Sequence, residues 1–147
     1  MVSGFYPLSV PLYNFTMEIQ FFDNRDDAPK NRDDVRILRA RTEMAPEGRR
    51  VAVDMELTPF IERPTIEIRL VNDRGEPAGL TNIIESLDRI IRVVMHMRDK
   101  TPAERYQAQI RIYYAHIDED MKRQMVDELI LEFAAIPGNE VNWEKEA

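Results

Sequence analysis

Residues 50–114 read RVAVDMELTPFIERPTIEIRLVNDRGEPAGLTNIIESLDRIIRVVMHMRDKTPAERYQAQIRIYY. Apolar residues recur at every second position in four separate runs. The first is Val51, Val53, Met55 and Leu57, and the second is Ile66, Ile68 and Leu70. The third is Ile91, Val93, Met95 and Met97, and the fourth is Tyr106, Ala108, Ile110, Ile112 and Tyr114. A period of two over short runs marks half-buried antiparallel strands, because successive side chains point to opposite faces. Turn residues separate the runs. Asn72-Asp73-Arg74-Gly75 reads as a hairpin turn in which Gly75 supplies a positive φ, and Pro59 and Pro64 bracket a loop unable to donate to a ladder.

Extending the pattern outward places strands near 35–44, 50–58, 65–72, 78–85, 89–98, 105–115 and 126–134. Ala45-Pro46-Glu47-Gly48 is the turn between the first two. About seven short strands with frequent turns predict an all-β fold, an antiparallel two-sheet sandwich. One element is ambiguous. In 121–133, Met121, Met125, Leu129 and Phe133 recur every four residues as in a helix, whereas Leu129, Leu131 and Phe133 alternate as in a strand. We favour a turn or helical start at 118–124 followed by a strand.

Three zones follow. Residues 1–34 form an extended apolar arm (1–22) and a charged linker (23–34), residues 35–136 the sandwich, and residues 137–147 an acidic tail carrying the lone Trp143. The arm holds Phe5, Tyr6, Tyr13, Phe15, Phe21 and Phe22, is punctuated by Pro7 and Pro11, and contains a segment, 16–22, able to pair as a strand. The linker DNRDDAPKNRDD has no apolar anchor.

Composition excludes several classes of function. With 147 residues and no cysteine, the chain buries a core without staples and has no disulfide framework, thiolate metal site or cysteine nucleophile. That composition fits the cytoplasm. No basic n-region precedes the apolar N-terminal residues, and no run approaches the roughly 20 residues of a membrane span. The acceptor pattern Asn14-Phe15-Thr16 therefore has no consequence here. A net charge of −7, from 27 acidic and 20 basic residues, disfavours nucleic acid. Arg36, Arg39, Arg41, Arg49 and Arg50 are read as charges that keep an edge or surface strand soluble.

Thr101-Pro102-Ala103-Glu104-Arg105-Tyr106 leads into the fourth alternating run. A proline four residues before a tyrosine at the start of the penultimate strand resembles the tyrosine corner of fibronectin type III and immunoglobulin-like domains. The hairpin at 65–84 is similar to the one that follows the third strand of such domains. The resemblance covers residues 35–134. It implies a tyrosine hydroxyl bonded to backbone a few residues upstream, and a prior toward binding and structural roles. Beginning at Met and stopping soon after its last strand, the chain resembles a small prokaryotic protein more than a piece of a receptor.

No phosphate loop, nucleophile elbow or dinucleotide fingerprint is present. His96 is read as a surface strand residue on the face with Arg92, Val94 and Arg98, and His116 as part of a solvated turn. Two histidines without cysteine make zinc a poor fit. The acidic clusters Asp23, Asp26, Asp27 and Asp118, Glu119, Asp120 lack the glycine and spacing of a calcium loop. Glu56, Glu67 and Glu85 are read as polar strand faces, and the methionines as core filling. No catalytic residue, metal or cofactor is expected. The leading expectation is a non-enzymatic assembly or adaptor domain, self-associating or binding a protein partner through Phe5, Tyr6, Tyr13 and Phe15. The alternative is a ligand-binding sandwich, such as a carbohydrate-binding module, with Tyr113 as its contact.

Overall fold

The computed structural model describes residues 28–115 and 122–146. Phe5, Tyr6, Tyr13, Phe15, His116 and both acidic clusters considered for calcium lie outside the described residues. Eight strands are described: β1 (Ile37–Met44), β2 (Arg50–Leu57), β3 (Thr65–Asn72), β4 (Pro77–Ile83), β5 (Ile90–His96), β6 (Arg105–Ala115), β7 (Arg123–Ala134) and β8 (Glu140–Glu144). They form two antiparallel four-stranded sheets, ordered β5-β2-β1-β8 and β4-β3-β6-β7. The expected all-β two-sheet sandwich is therefore the fold. A β1–β2 hairpin in one sheet is followed by a β3–β4 hairpin in the other. β5 then returns beside β2, β6 and β7 extend the second sheet, and β8 closes onto β1.

The alternating runs supply the core. Val51, Val53, Met55, Leu57, Ile66, Ile68, Leu70, Tyr106, Ala108, Ile110, Ile112 and Tyr114 are all buried. Gly75 adopts φ 81 in the β3–β4 turn, the left-handed region where a side chain is strained. On β5 the pattern fades along the strand. Met95 and Met97 are buried, but Ile91 and Val93 only partly so, because β5 pairs with β2 and with no other described strand.

Two expectations are corrected. The segment 137–147, read as a tail, contains β8. Its Val141 and Trp143 pack against the core while Glu140, Asn142 and Glu144 are exposed. With β8 on one side and β2 on the other, β1 is an inner strand, so of the two readings of its arginines, edge or surface strand, the second holds: Arg39 is exposed and Arg41 half-exposed on its outer face. The linker is anchored from residue 30 onward. Lys30 makes a parallel bridge to Phe60, donating its backbone N–H to Pro59 and accepting from Ile61. Arg32–Asp34 then form a 3-10 turn, so backbone pairing does the work that apolar anchors would otherwise do.

The ambiguous segment is a strand from Arg123. Its four-residue periodicity is broken by a one-residue register slip between Ile112 and Tyr113 on β6. The slip leaves Met125 exposed and returns Leu131 and Phe133 to the core. Beside the slip, Asp127 Oδ2 accepts the Ile37 N–H at 2.8 Å, tying β7 of one sheet to the start of β1 in the other.

Candidate interaction surface

The tyrosine at the start of β6 sits at the centre of a buried polar corner. Tyr106 Oη accepts the Ala103 N–H at 2.9 Å and donates to Asp99 at 2.9 Å. Its ring stacks on Phe133 with centroids 5.9 Å apart. The Asp99 carboxylate is also held by Asn72 Nδ2 at 3.1 Å and faces Arg49 at 3.5 Å. Burial pushes the Asp99 pKa upward, but the donors Asn72 and Tyr106, with Arg49 beyond them, outweigh it and hold the carboxyl below its ordinary value. Burial, assisted by Asp99, raises the Tyr106 hydroxyl. The proline–tyrosine spacing pointed to Tyr106. Asp99, in a charged loop, carries no such signal. This corner fastens the β1–β2 turn, the β3–β4 turn and the β5–β6 connection to one another, and its buried side chains are saturated with internal partners.

The outer faces of both sheets are charge mosaics. On β1, β2 and β5, Arg41 faces Asp54 at 3.1 Å, Arg92 faces Asp54 at 2.7 Å, Arg39 faces Glu56 at 3.0 Å and Arg89 faces Glu56 at 2.8 Å. Arg50 pairs with Glu47. Of the five arginines singled out in the sequence, Arg39 and Arg41 are matched by carboxylates of β2, whereas Arg36 donates to the Asp33 and Val35 carbonyls. An open groove of about 450 Å³ crosses this face, lined by Arg39, Arg41, Asp54, Glu56, Asn142 and the exposed Ile90. On the other sheet Glu67 is buried among Arg123, Arg111 and Arg69 at 3.6, 3.7 and 3.9 Å. Tyr113 lies on this face, half-buried, with the Arg123 guanidinium 3.9 Å from its ring centroid. His96 is exposed between buried Met95 and Met97, as the alternation requires. Glu56 does lie on a strand's polar face, whereas Glu85 falls in the β4–β5 connection with φ 50.

A second anchor point lies near the start of the described chain. Arg32 forms a two-pronged pair with Glu62 at 2.6 and 2.9 Å, donates to the Ala115 carbonyl at 2.8 Å, and lies 5.0 Å from the Tyr114 ring centroid. The Arg32 hydrogen bond lowers the Glu62 pKa. Burial raises the Tyr114 hydroxyl to about 12, and it donates to the Glu62 carbonyl at 2.8 Å.

The feature that sequence reading missed is apolar. The β4–β5 connection is pinned by its backbone: Ser86 N–H bonds the Pro64 carbonyl at 2.8 Å, and the Arg89 carbonyl accepts from Leu57 N–H at 2.8 Å. Ser86 Oγ closes the loop on the Asp88 carbonyl at 2.8 Å. Yet its apolar side chains point outward. Ile84 and Leu87 are 75% and 73% exposed, and Ile90 at the start of β5 is 65% exposed; Leu80 of β4 and Val94 of β5 are exposed as well. Isolated exposed leucines are ordinary; Ile84 and Leu87 on one pinned connection, followed by Ile90 at the start of β5, have the composition of a contact surface. Their spacing across residues 80–94 merged with the strand signal on either side, so the sequence held no mark of their exposure.

Among the described residues no group of His, Cys, Asp and Glu is placed to hold a metal ion, and no helix is long and apolar enough to cross a membrane. The class of protein defined here is an all-β, two-sheet sandwich with one apolar border. No family model matches the chain, and no curated protein matches it. Solved structures of β-glucuronidase from Ruminococcus gnavus overlap the fold. The apo enzyme and its complex with C6-substituted uronic isofagomine each give a TM-score of 0.40 at 17% identity, covering 69% of this chain and 16% of the enzyme. The chain thus spans about a sixth of the length of those enzymes, and overlap at this level bears on neither activity nor ligand.

Proposed function

We propose that this chain is a non-enzymatic interaction domain: an immunoglobulin-like sandwich that uses its β4–β5 border to associate with a second copy of itself. The observation that carries the reading is the pinned connection presenting Ile84 and Leu87 to solvent beside the exposed Ile90 that begins β5. An anchored loop loses little conformational freedom on binding, so its apolar area contributes to association rather than to ordering the loop. Phe5, Tyr6, Tyr13 and Phe15 are further apolar anchors in this reading. The order of the strands and the Tyr106–Ala103 bond support the immunoglobulin-like assignment. The test is light scattering on the full chain across a wide concentration range, beside the Ile84→Asp/Leu87→Asp variant. Both residues are mostly exposed, so the variant should fold. A concentration-dependent dimer that the variant abolishes is the expected result. A wild-type monomer throughout, or a dimer indifferent to the two aspartates, refutes it.

A further inference from the structure

The outer face of β4-β3-β6-β7 buries a carboxylate that strand alternation would leave in water. Ile66, Ile68 and Leu70 of β3 turn inward and are fully buried, so Glu67 and Arg69 between them face away from the core. The Arg69 side chain is accordingly 43% exposed, yet that of Glu67 is only 7% exposed. Three guanidinium groups crowd it. Arg123 and Arg69 approach Glu67 Oε2 at 3.6 and 3.9 Å, and Arg111 approaches Oε1 at 3.7 Å. All three lie beyond hydrogen-bond distance. The Glu67 carboxylate accepts no hydrogen bond from a described residue, and Arg69 Nε is buried with no hydrogen-bond partner. A buried acceptor and a buried donor side by side, both short of partners, are costly in a merely structural cluster.

We propose that this cluster binds a small hydroxycarboxylate, with the ligand's carboxylate taken by Arg69 and Arg123 and its adjacent hydroxyl donating to Glu67. Charge sets the first requirement. Arg69, Arg111 and Arg123 against Glu67 and Glu128 leave one positive charge in the cluster. One carboxylate balances it, whereas a phosphate monoester brings close to two negative charges. Geometry sets the second. Arg69 and Arg123 approach the same oxygen of Glu67 from β3 and β7, so one planar acceptor can bond both. Arg111 is already engaged, its Nε bonding Glu128 Oε2 at 2.6 Å.

Arg123 is held in place by Tyr113, whose ring centroid lies 3.9 Å from the guanidinium carbon. That contact fixes the cation without using a hydrogen-bond acceptor, so its N–H groups are not consumed. Tyr113 thus positions a cation instead of stacking on the ligand. Glu67 sets the third requirement. A bare carboxylate would be repelled by it, but a hydroxyl on the next carbon donates to it and converts repulsion into a charge-assisted bond. Asn82, exposed and directly opposite Glu67 on β4, sets an amide beside the site for a second hydroxyl. The inference is independent of self-association through Ile84 and Leu87, neither of which it uses.

Sodium gluconate is the probe, compared with sodium acetate, glycerol and sodium phosphate at constant ionic strength, and read by the amide shifts of the isotope-labelled full chain. Gluconate should shift the amides of Glu67, Arg69, Arg111 and Arg123 saturably. Acetate and glycerol should bind at least about tenfold more weakly, because each lacks one of the two charge-assisted bonds. Phosphate should bind less tightly than gluconate. Arg123→Gln, at an exposed side chain, should abolish saturation, and Arg92→Gln on the other sheet should leave it unchanged. Glu67→Met should remove the preference for gluconate over acetate. Acetate or phosphate binding as tightly as gluconate, saturation that survives Arg123→Gln or is lost equally in Arg92→Gln, shifts confined to other residues, or no saturable binding overturns the proposal. The comparison of the four probes on the wild type depends on no variant folding.

Discussion

Replacing Tyr106 by Phe should destabilise the fold by about 3 kcal/mol while leaving its shape intact. The hydroxyl makes two bonds: it accepts from Ala103 N–H at 2.9 Å and donates to the Asp99 carboxylate at 2.9 Å. A neutral bond contributes roughly 1 kcal/mol and one to a charged group roughly 1.5–3 kcal/mol. The phenyl ring keeps its stacking on Phe133, so no cavity term is added. Asp99 would retain Asn72 at 3.1 Å and Arg49 at 3.5 Å, which caps the loss. Unfolding in urea, followed by the fluorescence of Trp143, reads the change as a lower midpoint with an unchanged slope. In a thermal scan it corresponds to a drop of roughly 10 °C. Acid adds a second signature. The folded-state pKa of Asp99 is below its ordinary 3.8, so its stabilising contribution is present above 3.8 and lost as pH falls through the lower folded value. Without the tyrosine hydroxyl that folded value moves back up, and the gap between variant and wild type should narrow in acid below 3.8. A loss under about 1 kcal/mol at neutral pH, or a gap constant into strong acid, would show that the corner does not hold the sandwich in this way.

Gly75→Ala places a side chain at φ 81 and should lower stability by about 1 kcal/mol in chemical denaturation, with Gly75→Asn milder because asparagine tolerates that region. Asp127→Ala removes the acceptor of the Ile37 N–H; equilibrium unfolding should record a loss of about 1–3 kcal/mol, and the Ile37 amide should exchange faster. Tyr114 should titrate near 12 in ultraviolet difference spectra. Its raised value contributes stability that is complete below the ordinary tyrosine pKa near 10 and lost as pH climbs through about 12, so Tyr114→Phe should flatten the alkaline limb of the stability curve.

The period of two was strictest in strands whose neighbours in space are both also strands. Val51 to Leu57, Ile66 to Leu70 and Tyr106 to Tyr114 face a core on one side and water on the other, and a strict period of two follows. β8 was illegible: five residues, mostly polar, whose pairing depends on β1 about a hundred positions earlier. Tyr106 announced itself through Pro102, but its acceptor Asp99 did not. Nothing local distinguishes that aspartate until the β3–β4 turn brings Asn72 to it and the β1–β2 turn brings Arg49.

Alternation, turn residues and the absence of cysteine thus determined by themselves the all-β class, most strand positions and the corner tyrosine, because each is written in residues a few positions apart. Only the tertiary structure decided which strands lie at the edges, that Glu67 and Asp99 are buried among partners, and that Ile84, Leu87 and Ile90 face outward. Exposure is a property of what lies across the gap between two sheets, and the sequence of one strand does not encode its neighbour.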